Sequence, residues 1–201
     1  MLSLKERIDL LEIHLKANPP QISSYADLPF AILRYDPQDE WTVRREVRLL
    51  ATRLADAGKN VRTISMADLL WEAVDETEGM DALVGWEREN GFQAAEAQLT
   101  GYLTNPNWYP LPDALLQKLS TLDPGRDVVF LVRAAAMAPD IYHMSKLLDE
   151  LQGRTRVPII LFYPGTVSEA AASMNVTTTE MRFMGLEDRQ ALGNYRVKIY
   201  G

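Results

Sequence analysis

Two apolar runs in the C-terminal half of the chain, Asp127–Arg133 and Val157–Tyr163, limit the possible folds more than any other feature of the sequence. Between them, apolar residues recur at helical spacing in a segment that begins near Pro139 and ends at Gly153. A strand, a helix and a second strand in this order are typical of a parallel βαβ unit. Strands that are apolar at nearly every position are expected where helices cover both faces of a sheet. We therefore predict an α/β fold with a mostly parallel sheet flanked by helices, either Rossmann-like or a degenerate version of the P-loop NTPase core.

The remaining sequence is consistent with a single α/β domain over residues 1–201. An amphipathic N-terminal helix is predicted within residues 1–18, where Ser3 and Glu6 have the spacing of a capping box. Residues 66–122 contain several helical patterns and are predicted to form a helical insertion between strands. Further strands are predicted at Phe30–Asp36, Val61–Ser65 and Tyr195–Tyr200.

The composition excludes several classes of site. The 201 residues include no cysteine, so thiol catalysis, disulfides and cysteine-held metal clusters are ruled out. Because the net charge is −7, the surface of the chain as a whole is not suited to binding the phosphates of nucleic acid. The N-terminal residues lack the apolar stretch of a signal peptide, and no run of about 18 apolar residues suggests a membrane span. We expect a cytoplasmic protein without membrane association.

The sequence lacks the motifs for nucleotide hydrolysis and for dinucleotide binding. A Walker A loop needs glycines, a lysine and a hydroxyl after a strand, because backbone N–H groups and the lysine hold the phosphates. The first predicted strand is instead followed by Asp36–Glu40, which has no glycine, and the segment Ala57–Asn60 has no Ser or Thr after its lysine. Arg133 stands where a metal-binding aspartate would follow the strand. The dinucleotide pattern G-x-G-x-x-G is also absent from the sequence.

Metal, acid–base and nucleophilic chemistry have equally little support. The two histidines, His14 and His143, have no second ligand at metal-binding spacing. The acidic residues within 75–81 are better interpreted as a solvated loop than as a magnesium site. Ser145 and Ser168 lack both the nucleophile-elbow sequence and a neighbouring base. We predict no catalytic residue, no metal and no cofactor, and therefore no enzyme activity.

One group of candidate binding residues lies on the predicted helix after the first strand. Arg44, Arg45 and Arg48 could form a stripe that faces phosphates, as in a nucleic-acid contact. Glu46 interrupts the stripe and Asp39 and Glu40 precede it, which favours a solvated helix face. Direct DNA binding is accordingly expected to be weak or absent.

A second group of candidates lies in predicted loops. Trp108 and Tyr109 occur in a segment rich in Pro and Asn, where exposed aromatic residues commonly anchor an interface; burial against the core is the alternative. Tyr163, Pro164 and Gly165 directly follow a buried strand, and Pro and Gly are typical of a sharp turn. Partners and ligands meet α/β sheets at this end of a strand. These five residues are therefore the predicted partner-binding positions.

The chain resembles the BrxB family of bacterial BREX phage-defence systems, formerly known as a domain of unknown function. The segments that carry the resemblance are Val128–Val132, Leu147–Gln152, Val157–Gly165, Arg182–Gly185 and Asn194–Arg196. The most specific parts are Pro-x-x-x-Phe-Tyr-Pro-Gly in the third segment and Asn-Tyr-Arg in the last. Neither is a catalytic motif, so the resemblance transfers no active-site residue.

The resemblance implies a non-catalytic assembly or regulatory component of a multi-protein BREX complex. Such complexes contain an alkaline-phosphatase-like protein called PglZ, an adenine methyltransferase and a large ATPase. The expected partners are BREX proteins, chiefly the PglZ-like component, with the methyltransferase as a second candidate. The alternative function, which rests on the βαβ order and the arginine-bearing helix, is a nucleotide- or nucleic-acid-binding module on a degenerate NTPase-like fold.

Overall fold

The computed structural model describes residues 2–22, 28–167, 181–186 and 197–201, which form an α/β structure. The strands are β1 (Phe30–Tyr35), β2 (Asn60–Ser65), β3 (Asp127–Val132), β4 (Ile159–Val167), β5 (Met181–Phe183) and β6 (Lys198–Tyr200). The helices are α1 (Leu4–Lys16), α2 (Glu40–Asp56), α3 (Met66–Glu76), α4 (Met80–Asn90), α5 (Phe92–Thr104), α6 (Leu111–Leu119) and α7 (Met144–Leu151). Short 3₁₀ helices follow β1 at Pro37–Asp39 and β3 at Ala134–Met137.

The strands assemble in the order β2-β3-β4-β1-β6, and each neighbouring pair along this path is parallel. The short strand β5 pairs antiparallel with the carboxyl end of β4. The prediction of a mostly parallel sheet flanked by helices is confirmed, and a Rossmann-like description fits it. The predicted C-terminal strand is present as β6 at one side of the sheet, while Tyr195 lies outside the described residues.

The helices cover both faces of the sheet because the connection that leaves β1 crosses the sheet in the opposite direction to those that leave β2 and β3. The connection from β1 to β2 passes through α2 and crosses two strands, whereas β2, β3 and β4 follow one another back towards β1. Right-handed crossovers in opposite directions place their helices on opposite faces. The packing agrees, because α1 and α2 share one core cluster and α3, α6 and α7 share the other.

The central strands contribute to both cores by alternation. In β1, Phe30 and Ile32 pack with the cluster of α3, α6 and α7, whereas Ala31 and Leu33 pack with the cluster of α1 and α2. All six residues of β1 are buried, as are the four central residues of β3. Two-sided burial therefore explains why these strands are apolar at nearly every position.

Local signals define several helix ends as the sequence predicts. The Ser3 hydroxyl accepts from the Glu6 backbone N–H at 3.3 Å, and the Glu6 carboxylate accepts from the Ser3 N–H at 2.7 Å, which completes the capping box of α1. Between β2 and β3, where the helical insertion is predicted, the chain forms α3 to α6. Gly91 separates α4 from α5 with a φ of 86°, which lies in the left-handed region that favours glycine.

The helix after β3 begins later than its proline suggests. The sequence predicts a start at Pro139, but α7 begins at Met144. The 3₁₀ helix ends at Met137, residues 138–141 form a turn, and the Ile141 N–H donates back to the Met137 carbonyl at 3.1 Å. This bond closes a separate turn, and the regular helix begins after it, at Met144.

The close approach of β4 and β5 depends on the absence of a side chain at Gly165. A Cβ atom at this position would lie 2.6 Å from Cε1 of Tyr163 and 3.3 Å from the Arg182 carbonyl oxygen. The ring of Tyr163 is itself held by Phe183, with their centroids 5.2 Å apart. We expect Gly165→Ala to lower the free energy of unfolding by about 1–3 kcal/mol, since inserting a carbon there forces the ring or the strand to move.

Chemical denaturation of the full chain measures this loss. Gly85→Ala is the matched control, because Gly85 has open space around its Cβ position and an ordinary helical backbone. Equal effects of the two substitutions would contradict the packing described for Gly165.

Candidate functional site

A crevice opens at the carboxyl edge of the sheet, where the chain leaves β1 towards one face and leaves β2 and β3 towards the other. Ligands bind α/β sheets at such switch points. Two adjacent clefts of about 280 and 300 Å³ lie here, and both are lined by Glu40, Arg44 and Arg133. We refer to these two clefts together as the carboxyl-edge crevice.

The charged groups of the crevice are mainly arginines. Arg44 and Arg48 come from α2, one helical turn apart, and Arg133 follows the end of β3. Glu40 is the acidic residue that lines both clefts. Three guanidinium groups and one carboxylate give the lining an excess of positive charge, although the whole chain has a net charge of −7.

Two of these arginines are paired with carboxylates near the surface. Arg44 donates from Nε to Glu40 Oε1 at 2.8 Å, and its guanidinium also lies 4.7 Å from the centroid of the Trp41 ring. Arg133 contacts Asp68 of α3 at 3.2 Å. The arginine side chains are 39% and 44% exposed, so each pair contributes only about 0.2–1 kcal/mol. A bound anion can therefore replace Asp68, which is 64% exposed, at low cost, whereas Glu40 is only 22% exposed.

Glu40 is held in place from both sides. Besides its contact with Arg44, its carboxylate accepts a hydrogen bond from the hydroxyl of Tyr35 at the end of β1. Burial, followed by the neighbouring carboxylate, raises the pKa of Tyr35 well above its ordinary value, so the hydroxyl remains a donor. This contact joins the start of α2 to the sheet beside an apolar floor. The floor consists of Val43, Val47, Val132 and Phe162.

The backbone of Arg133 adopts an unusual conformation for a residue with a side chain. Its φ of 58° and ψ of 36° lie in the left-handed region. This region costs a non-glycine residue roughly 1–2 kcal/mol, and such strain is commonly found at functional positions. The strained backbone is the point at which the chain turns from β3 into the 3₁₀ helix, with the guanidinium lining the crevice.

Two further arginines are buried close to the same sheet edge. Arg34 on β1 donates to the Gly165 carbonyl at 3.1 Å, and Arg7 on α1 donates to the Arg34 carbonyl at 2.6 Å. Burial and the neighbouring Arg34 lower the pKa of Arg7 to about 10, so its guanidinium group remains charged at neutral pH. The sequence contained one signal for this cluster, since Arg34 interrupts an otherwise apolar strand.

The predicted turn at Tyr163, Pro164 and Gly165 is wrong. These residues continue β4, which extends to Val167 and pairs with β5, and all three are buried. Backbone pairing overrides the local turn preference of Pro and Gly, and the Met184 N–H donates to the Pro164 carbonyl at 2.9 Å. Tyr163 is 1% exposed, so its side chain does not form a surface anchor.

The predicted pair Trp108 and Tyr109 divides between surface and core. Trp108 is 41% exposed, and its ring lies 4.8 Å from that of Tyr102 on α5. Tyr109 packs against the core, and its hydroxyl donates to Glu72 at 2.8 Å. Trp108 therefore remains available for a partner, whereas Tyr109 mainly holds the loop to α3.

The predicted arginine stripe divides in the same way. Arg44 and Arg48 line the crevice, whereas Arg45 has a 66% exposed side chain that pairs with Glu46 at 3.4 Å. Helical periodicity explains the difference, because positions one residue apart lie about 100° around the helix axis. The stripe is thus a pair of crevice arginines and one separate surface arginine.

A second surface of interest is the acidic helical segment, residues 72–96. It holds eight of the 28 acidic residues and one of the 21 basic residues, so the rest of the chain has 20 of each sign. Leu83 is the buried residue of α4, while Met80, Trp86 and Phe92 are 38%, 45% and 65% exposed. A short helix that buries so little is expected to gain stability from further packing. Exposed Met and aromatic residues are typical of protein interfaces.

The two histidines differ in their surroundings. His14 shares a hydrogen bond of 2.8 Å with the Tyr200 hydroxyl, which links α1 to β6, and His143 lies exposed at the start of α7. Within the described ranges, no three His, Asp or Glu side chains cluster in a way that could hold a metal ion. No helix in the same ranges has the length and apolar character needed to span a membrane.

The different burial of Tyr163 and Trp108 leads to a stability test. We expect Tyr163→Ala to lower the free energy of unfolding by about 3–5 kcal/mol, because it removes a fully buried ring. Trp108→Ala should cost no more than about 1.5 kcal/mol, mainly through loss of its contact with Tyr102. Thermal or urea unfolding of both variants checks the order, and a smaller loss for Tyr163→Ala would contradict its placement in the core.

A comparison with protein-family models identifies one match over most of the chain. The family described as "BREX protein BrxB" matches residues 62–196, about two thirds of the sequence. The match begins in β2 and includes the acidic helical segment, Arg133 and both predicted strands of the βαβ unit. Comparisons with curated proteins and with solved structures gave no match. The chain belongs to the BrxB family and is a component of a BREX phage-defence system.

Proposed function

We propose that this chain is a non-catalytic, cytoplasmic assembly subunit that binds the PglZ-like component of its BREX complex. Family membership supports a role in the complex, and the exposed side chains of the acidic helical segment support a docking role. The single observation that carries the proposal is α4, which presents Met80 and Trp86 to solvent and lies next to the exposed Phe92.

Trp108 extends the proposed docking surface beyond α4 and the start of α5. Its ring packs on Tyr102, whose hydroxyl donates to Glu78 at 2.7 Å. Glu78 precedes α4 and also accepts from Gln98 of α5 at 2.8 Å. These contacts connect the Trp108 loop to the acidic helical segment, so the predicted partner residue Trp108 belongs to the proposed surface.

The chemistry of this surface defines its partner. Met and aromatic side chains need an apolar counterpart, and the surrounding carboxylates need basic residues on the rim. The net charge of −7 within residues 72–96 would repel a nucleic acid. We therefore propose that the PglZ-like component contributes an apolar patch bordered by Lys and Arg.

Removal of the two large aromatic side chains tests this surface. We expect the double variant Trp86→Ala, Phe92→Ala to bind the purified PglZ-like component at least about tenfold more weakly, because buried aromatic anchors dominate interface energies. The measurement is affinity by calorimetry at low and at physiological salt. Binding of the wild-type chain should weaken with salt, since the rim contacts are charged.

Trp41→Ala is the matched control, because Trp41 is 77% exposed and lies on α2, outside the acidic helical segment. Thermal unfolding should change only modestly in all variants, because the substituted side chains are 45–77% exposed. Wild-type affinity of the double variant would show that another surface binds the partner. No association of the wild-type chain with either the PglZ-like component or the methyltransferase at low salt would refute the assembly function. A complex with the methyltransferase but not with the PglZ-like component would refute the choice of partner.

A second candidate function is nucleotide or nucleic-acid binding at the carboxyl-edge crevice. The observation that favours it is the convergence of Arg44, Arg48 and Arg133 on one concave site at a switch point of the sheet. This function and the docking function use different residues and are compatible with each other.

A further inference from the structure

The two clefts of the carboxyl-edge crevice differ in their lining but share two cationic side chains. Arg44 and Arg133 line both clefts, so the guanidinium groups lie at their junction. The cleft of about 280 Å³ is also lined by Arg48, by Thr63 and by the apolar floor. Positive charge is therefore concentrated between the clefts, and apolar surface lies to one side of it.

Guanidinium groups at such a junction are suited to phosphate. Arginine presents several N–H donors in a planar fork that matches phosphate oxygens, and two forks that converge on one point favour a group with two negative charges. Among the described residues, Arg48 forms no ion pair, while Arg44 and Arg133 pair with Glu40 and Asp68, whose side chains are 22% and 64% exposed. Arg133 can thus change partners while Asp68 stays in contact with water, and Glu40 keeps the hydrogen bond from Tyr35 when Arg44 turns to an anion.

The volume of the clefts limits the size of the ligand that can bind. Sites for small molecules commonly enclose about 300–1,000 Å³, and the clefts of about 300 and 280 Å³ lie at and just below the lower limit of that range. A floor made of Val43, Val47, Val132 and Phe162 favours a flat, largely apolar group next to the phosphate. A nucleoside phosphate has both parts in the required order.

We propose that the carboxyl-edge crevice binds a mononucleotide, with its phosphates between Arg44 and Arg133 and its nucleoside in the apolar cleft beside Arg48. The proposal rests on the second candidate function and names its ligand. A mononucleotide is favoured over a nucleic acid because the site is concave and because Arg45, which a polyanion lying along α2 would reach, points away from the crevice and pairs with Glu46.

Calorimetric titration of the full chain with ATP, ADP, AMP and GTP tests the proposal. Inorganic pyrophosphate and a short single-stranded DNA serve as further probes. We expect saturable binding of at least one nucleotide at about 1 mM or below, with tighter binding for more phosphates. Arg44→Ala and Arg133→Gly should each weaken this binding about tenfold or more, the usual result of losing one charge-assisted contact.

The variants are chosen so that loss of fold does not explain loss of binding. Arg133→Gly keeps the left-handed backbone, since glycine adopts a φ of 58° without strain. Arg45→Ala is the matched control from the same helix, and it should keep nucleotide affinity within about twofold because its side chain lies outside the crevice. The melting temperature of each variant verifies its fold.

Each outcome supports or overturns the proposal. Nucleotide binding that is lost in the two crevice variants and kept in Arg45→Ala supports it. Binding of DNA but not of mononucleotides, with a loss in Arg45→Ala, would overturn it in favour of a nucleic-acid surface along α2 and leave the second candidate function standing. Pyrophosphate affinity equal to that of ATP would overturn the nucleoside part, and no binding of any probe at about 5 mM would remove both the proposal and the second candidate function.

Discussion

Burial of β1 on both faces is the constraint on which the rest of this structure depends. β1 lies between β4 and β6, and its side chains alternate between two separate cores. Both cores have to be closed by helices. The reversal of crossover direction, between the connection after β1 and those after β2 and β3, places α2 on one face and α3, α6 and α7 on the other. The crevice follows from the same reversal, because helices that leave a sheet edge in opposite directions separate there. Fold and candidate site thus have one cause.

The buried arginines show how the sheet edge beside that crevice is stabilised. An ion that leaves water loses hydration worth several kcal/mol, which has to be offset by good acceptors. Arg34 finds one in the carbonyl of Gly165, and Arg7 finds one in the carbonyl of Arg34. These two contacts tie α1, β1 and β4 together through backbone atoms whose positions the sheet already sets. The two guanidinium groups therefore stabilise this sheet edge through backbone carbonyl acceptors.

Sequence patterns predict the features that depend on neighbouring residues. The structure differs from these predictions where contacts between distant segments determine the conformation. The apolar strands and the capping box of Ser3 depend on a few neighbouring residues, and both are found as expected. The order of the strands has no local signal. The turn expected at Pro164 and Gly165 is replaced by strand because β5, which begins 16 residues after Gly165, pairs with it. Arg44 and Arg48 could have been separated from Arg45 by helical spacing alone. Their association with Arg133 could not, because it depends on how β1 and β3 are placed in the sheet.

The distribution of charge shows why the overall composition is a limited guide to binding in this chain. A net charge of −7 argues against phosphate binding only if the acidic residues surround every surface. Here the excess is confined to residues 72–96, and the remaining sequence is electrically balanced. Between exposed charges, salt screens the interaction over about 8 Å at physiological ionic strength, so local lining matters more than the total. The acidic helical segment and the arginine-lined crevice can therefore present opposite charge to different partners on one small protein.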